Sequence, residues 1–204
     1  RHNPSSNLRL KSGVAPLNRL MEKNVTVAIG IDEAGINDDN DILQEMRLAQ
    51  KIHREPGVSS KHPTSHQIFE LNTVNGSKVT FFQDQIGTLE PGKRADIVLL
   101  NMDRIEEPYL HPDTDIVDAI MFRGKGLDVD TVIVDGEVLL RNKVFQNLDK
   151  AEITGRFKET LARPLSDGEI NRGSLSRQLM PHIEDWFAKW PLESGDAHYT
   201  YNLS

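Results

Sequence analysis

The architecture is most legible in the run Val25-Thr26-Val27-Ala28-Ile29-Gly30-Ile31-Asp32. Its residues are β-branched or apolar with no polar face, the pattern of a strand covered on both sides in a parallel sheet with helical crossovers. A carboxylate ends it, and Asp32-Glu33-Ala34-Gly35 reads as a polar turn. Upstream, Val14, Leu17, Leu20 and Met21 fall at helical spacing with Pro16 suited to a first turn, which predicts a helix over 14–23. Downstream, Ile42, Met46 and Ala49, joined by Leu43, share one face of a helix predicted over 41–53. The order helix, strand, polar loop, helix belongs to βα architecture.

Further along, 54–63 is a loop rich in Pro, Gly and Ser. Thr64 or Ser65 is positioned to cap a helix running to Val74, with Ile68, Phe69 and Leu71 as its core face and Asn75-Gly76 as its stop. From Gly87 the texture changes. Leu89 to Lys93 reads as a turn, 95–100 as a strand and 116–122 as a further apolar segment. Strand 129–134 meets the tight-turn pair Asp135-Gly136, and 137–145 returns as the second arm of a hairpin. This β-rich, antiparallel half predicts a boundary within 81–87, hence segments 1–80, 81–148 and 149–204. In the last, 153–161 and 175–190 have helical spacing. Leu179, Ile183, Trp186 and Phe187 form an apolar stripe, which predicts a docking helix with Trp186 buried.

The chain has 204 residues, 37% of them apolar and 27% charged, which is ordinary globular composition. A net charge of -7 argues against a nucleic-acid partner. With no cysteine there is no disulfide, thiolate nucleophile or thiolate metal site, and a reducing, cytoplasmic setting is expected. No apolar run approaches the roughly 20 residues of a membrane-spanning helix. The opening Arg1-His2-Asn3-Pro4 lacks an initiator Met and a leader pattern, and reads as the start of a piece of a longer polypeptide.

Two segments are candidates for chemistry. His2-Asn3-Pro4-Ser5-Ser6-Asn7-Leu8, read by its residues alone, is a turn. Asp32 sits at the C-terminal end of a buried parallel strand, where α/β barrels carry their chemistry; the alternative is an Asp that caps the next helix. Asp38, Asp39 and Asp41 lack the glycine and terminal glutamate of a calcium loop.

The His-Asn-Pro-x-Ser-Asn-Leu run, Gly30-Ile31-Asp32, the block from Glu45 to Ala49, Gly87-Thr88-Leu89-Glu90-Pro91-Gly92-Lys93-Arg94-Ala95-Asp96 and Val134-Asp135-Gly136-Glu137-Val138 stand in one order. Together they resemble the amidohydrolase superfamily, in its branch of cytosine, guanine and S-adenosylhomocysteine deaminases and triazine hydrolases. The resemblance spans about residues 1–145. It implies an α/β fold: the C-terminal part of a (β/α)8 TIM barrel around strands 7 and 8 (1–80), part of a flanking β-sandwich (81–148) and a helical C-terminal arm (149–204).

The resemblance also implies one divalent metal, zinc or iron, with Asp32 as both metal ligand and proton acceptor. His2 then becomes a substrate-binding group, and the other histidines (His53, His62, His66, His111, His182 and His198) structural ones; Glu33, where the chain departs from the family, is a candidate to bind an amino or cationic part of the substrate, the alternative being a solvated neighbour that points away. The remaining ligands would come from a missing N-terminal barrel segment, since no His-x-His occurs here. Ile31 replaces the usual Thr, and Glu33-Ala34-Gly35 a run of small residues. The implied reaction is hydrolysis of a non-peptide C–N bond: deamination, or removal of an amine from a small nitrogen heterocycle, by a homo-oligomeric enzyme. The alternatives are a dechlorinating hydrolase on the same scaffold and a non-catalytic remnant serving assembly.

Overall fold

The computed structural model describes residues 1–37, 40–55, 57–58 and 62–189, so expectations for Asp38, Asp39, Trp190 and His198 fall outside the described residues. The chain divides into two units, Arg1–Asn147 and Leu148–Ser204.

The first unit opens with a helix, not a turn: α1 spans Pro4–Leu10. Proline at the first helical position explains it, because its fixed φ suits a helix and its missing N–H would have had no partner there. Helix α2 is Leu17–Glu22, three residues shorter at its start than the spacing suggests, with Leu17 fully buried. The apolar stretch 25–31 is extended but pairs as a single parallel bridge, His2 to Ile29, and not as a longer strand. The His2 N–H donates to the Ala28 carbonyl at 2.8 Å and the Gly30 N–H to the His2 carbonyl at 3.0 Å. A ladder needs a partner at every second residue, and among the described residues only the segment around His2 supplies one.

Asp32 has φ +70, and the expected polar turn passes at once into a short helix, α3, Ala34–Asn37. Helix α4 (Ile42–Ile52) starts where Asp41 accepts the Leu43 N–H, and buries Leu43, Met46 and Ala49 as its spacing predicts. Helix α5 (Ser65–Asn72) carries a full capping box between Thr64 and Gln67 and buries Ile68 and Leu71. The Asn75-Gly76 stop fails: after a break at Thr73 (φ −108, ψ −83) a second helix, α6, runs Val74–Val79. The Asn75 side-chain amide reaches back to the Val27 carbonyl at 3.0 Å, so that residue is recruited by the extended segment instead of ending a helix. Leu17, Val27, Ile29, Leu43, Met46, Ala49, Ile68, Leu71 and Met121 form one apolar cluster. Burying a side chain of this size contributes roughly 1.5–3 kcal/mol.

A four-stranded antiparallel sheet follows in the order β1-β2-β3-β4: β1 Ile97–Leu100, β2 Val129–Val134, β3 Glu137–Arg141 and β4 Val144–Phe145. Asp135 (φ +51) and Gly136 (φ +83) both take the left-handed conformation that a two-residue hairpin demands. The single return strand expected over 137–145 is split, because Asn142 (φ +49) and Lys143 (φ +65) form a second such turn. Between β1 and β2 lie two helices, α7 (Asp103–Glu106) and α8 (Ile116–Arg123). The apolar segment 116–122 is therefore helical, started by Asp115, whose carboxylate accepts the Val117 and Asp118 N–H groups.

The second unit contains α9 (Lys150–Ala162) and α10 (Asp167–Ala188), longer than the two predicted helices because Asp149 and Ser166 cap them further upstream. Neither helix buries a residue. Trp186 is 55% exposed and packs edge-on against Phe187, ring centroids 4.9 Å apart, so the expectation that it is buried is corrected. A 3.6-residue stripe identifies an apolar face without saying what covers it. No helix among the described residues is long and apolar enough to cross a membrane.

Candidate active site around Asp32

Three elements converge on Asp32. The extended segment delivers it, α1 approaches from the side, and α4 braces α1. Ser6, fully buried on α1, donates its hydroxyl to Asp32 Oδ2 at 2.7 Å. That is a charge-assisted distance. Asp32 and Glu33 are both exposed. The Glu33 carboxylate lies back over its own short helix, since a Cβ built on Gly35 would sit 3.7 Å from Glu33 Oε1.

Helix α1 has no side-chain cap from Asn3. A carboxylate from α4 supplies the negative end instead: the Ser5 N–H donates to Glu45 Oε2 at 3.2 Å, and Glu45 is fully buried. An anion beside the first turn also matches the partial positive charge there. Close packing at this junction needs Gly30. A Cβ there would stand 2.7 Å from Asn3 Oδ1.

His2 is 1% exposed, and its Nε2 lies 3.0 Å from Nε2 of His53, the residue that ends α4. One of these nitrogens must donate and the other accept, so at least one proton-bearing Nε2 is fixed by the pair. Burial, reinforced by the facing His53 ring and the N-terminal amine, pushes His2 down to about 4. Burial lowers His53 as well. Both rings are therefore neutral at pH 7. His2 Nδ1, Asn3 Oδ1 and Ser5 Oγ are buried without a hydrogen-bond partner among the described residues.

The sequence-derived residues thus separate. Asp32 stands at the bridge-and-helix junction, Glu33 beside it in the chain, and His2 is inside, its Nε2 engaged with His53. Ser6, Glu45 and His53 were not expected to take part. A signal for two of them is present: Glu45 and His53 continue the buried stripe of Ile42, Met46 and Ala49, and polar side chains on a core face usually have a specific partner. A cleft of about 300 Å3 lined by Asn18, Met21, Glu22, His62, Pro63 and Gln67 includes none of the residues around Asp32. Among the described residues no three His, Asp or Glu side chains gather as a metal-holding group. The described residues therefore do not make a complete metal site.

The chain resembles known proteins over most of its length. The model of the Amidohydrolase family matches residues 1–139. A 5-methylthioadenosine/S-adenosylhomocysteine deaminase of Syntrophomonas wolfei is 34% identical, over 78% of this chain and 36% of the relative. Among solved structures, an adenosine deaminase from Xanthomonas campestris with bound zinc superposes with a TM-score of 0.69 at 26% identity, over 78% of this chain and 35% of that one. An atrazine chlorohydrolase from Arthrobacter aurescens TC1 complexed with zinc gives 0.70 at 25% identity, over 78% and 34%. The chain spans roughly a third of the length of these proteins, 34–36%.

Proposed function

The chain belongs to the amidohydrolase family, and from that premise we propose that it supplies one wall of a metal-dependent deaminase acting on an adenosine-like nitrogen heterocycle. The observation that carries the reading is Asp32: a carboxylate at the end of the segment bridged in parallel to His2, with one oxygen held by Ser6. The deaminase names of the relatives support the reaction class. Their zinc supports a divalent metal, with Asp32 contributing one ligand.

When bound, such a metal supplies a water whose pKa is brought toward neutrality. Asp32 would contribute one carboxylate to hold the metal and would serve as a proton acceptor at Oδ1, which Ser6 leaves available by engaging Oδ2. Glu33, exposed beside Asp32, meets the amino or cationic part of the substrate. His2 acts through Nδ1, because its Nε2 is engaged by His53. In this proposal 1–80 is the C-terminal segment of a (β/α)8 barrel, 81–148 contributes to a flanking β-sandwich, and 149–204 is a helical arm. The exposed stripe of α10 supports a homo-oligomer, and a chain without cysteine fits the cytoplasm.

Asp32→Asn in the intact, metal-replete polypeptide tests the reading. Removing the acceptor is expected to lower kcat for ammonia release from an adenosine-type substrate by at least about 10²-fold. Near-normal turnover would reduce Asp32 to a structural carboxylate. A second reading, hydrolytic dechlorination of a triazine, draws on the likeness to the atrazine chlorohydrolase. Chloride release without ammonia release from matched substrates would favour it.

A further inference from the structure

We propose that Ser6 is a positioning residue that aims the Asp32 carboxylate, leaving Oδ1 for the metal and the reacting water. The proposal rests on the reading of Asp32 given above and extends it to a second residue.

The backbone does not aim this side chain by itself. In a regular strand the pleat sends successive side chains to opposite faces. Asp32, at φ +70, has left the extended region, so the alternation that orients Val27 and Ile29 no longer applies to it. The side chain is exposed and turns about χ1 and χ2 unless something holds it. Ser6 holds it. Its hydroxyl is fully buried, has a single proton to give, and gives it to Oδ2 at 2.7 Å.

Ser6 is itself well anchored. Proline starts its helix, buried Glu45 receives the Ser5 N–H one residue earlier, and α1 packs against both α3 and α4. The donor is therefore pre-placed, and the carboxylate comes to it. A ligand whose outer oxygen is hydrogen-bonded is fixed in orientation before metal arrives, and losing such a partner typically costs about 10–100-fold in affinity or activity.

The experiment is a double-mutant cycle in the intact polypeptide: Ser6→Ala, Asp32→Asn and the pair together. Zinc affinity is measured by competition with a chromogenic chelator, kcat and KM on an adenosine-type substrate, and fold by circular dichroism. Ser6→Ala is expected to weaken zinc binding about tenfold and lower kcat by a similar factor, with KM and the spectrum unchanged. Because Ser6 acts through Asp32, adding Ser6→Ala to Asp32→Asn should cost nothing further in zinc affinity. Ser6→Thr, which keeps the hydroxyl, should recover most of the loss; if its extra methyl unfolds the helix, the cycle alone decides. Equal losses from Ser6→Ala in both backgrounds would show that Ser6 serves packing and overturn the proposal. So would wild-type affinity and kcat in Ser6→Ala. If Asp32→Asn itself leaves affinity and kcat untouched, the catalytic reading of Asp32 falls and this proposal with it, an outcome distinct from failure of Ser6 alone.

Discussion

Acidification should destabilise the chain through the buried histidine pair, and the size of the effect follows from His2. Folding lowers His2 from 6.5 to about 4, so below its unfolded pKa the unfolded chain takes up a proton that the folded chain refuses. Stability is therefore intact above about pH 7, falls as pH drops through 6.5, and stops falling on this account near pH 4. At pH 5 the unfolded state is almost fully protonated at this ring and the folded state only about a tenth, which removes about 2 kcal/mol relative to pH 7.5. His53, also lowered by burial, acts in the same direction.

The assay is urea unfolding at pH 7.5, 6, 5.5 and 5 for the chain and for His2→Gln. The substitution changes absolute stability, but the diagnostic quantity is the slope of ΔG against pH. The unsubstituted chain should be steeper by most of one proton, about 1.2 kcal/mol per pH unit, between pH 6 and 5. Parallel curves for the two proteins would mean that His2 charges freely in the folded state and that the His2–His53 contact does not exclude the proton.

Arg47 donates from Nε to the Met121 carbonyl at 2.8 Å and from Nη2 to the Gly124 carbonyl, tying α4 to the C-terminal end of α8. Arg47→Met keeps the aliphatic stem but strands both acceptors, and should cost about 2 kcal/mol in urea unfolding. Gly87 has φ +100, and a Cβ there would lie 2.4 Å from Ser77 Oγ and 2.8 Å from Ser77 Cβ, whereas at Gly136 (φ +83) nothing lies within 4 Å. Gly87→Ala should therefore cost at least about 2 kcal/mol and Gly136→Ala only about 1, a contrast that thermal melts resolve. Trp186→Ala, at a position 55% exposed on α10, should cost roughly 1 kcal/mol of chain stability and not the 3–5 of a core aromatic. A loss of core size would place the indole in an apolar contact within the chain.

The sequence alone determined whatever depends on neighbours along the chain. Helical stripes placed α2, α4 and α5, the Thr64 cap marked where one of them begins, and the pair Asp135-Gly136 set the hairpin turn. Each is a matter of 3.6-residue or two-residue periods and of local φ, which a one-dimensional reading contains. The order of the motifs was enough to indicate the family.

Contacts across long sequence separations came from the folded chain alone. It paired Ser6 with Asp32 and His2 with His53, brought Glu45 to the start of α1, and took Asn75 from a helix stop to the Val27 carbonyl. It also showed that 25–31 makes one bridge and not a ladder, and that the stripe around Trp186 is exposed within the chain. The physical reason is common to these cases. A hydroxyl, an imidazole or an apolar face carries its chemistry in the sequence, but which partner satisfies it depends on where packing closes the chain, and the strength of a hydrogen bond or a buried face depends on that partner.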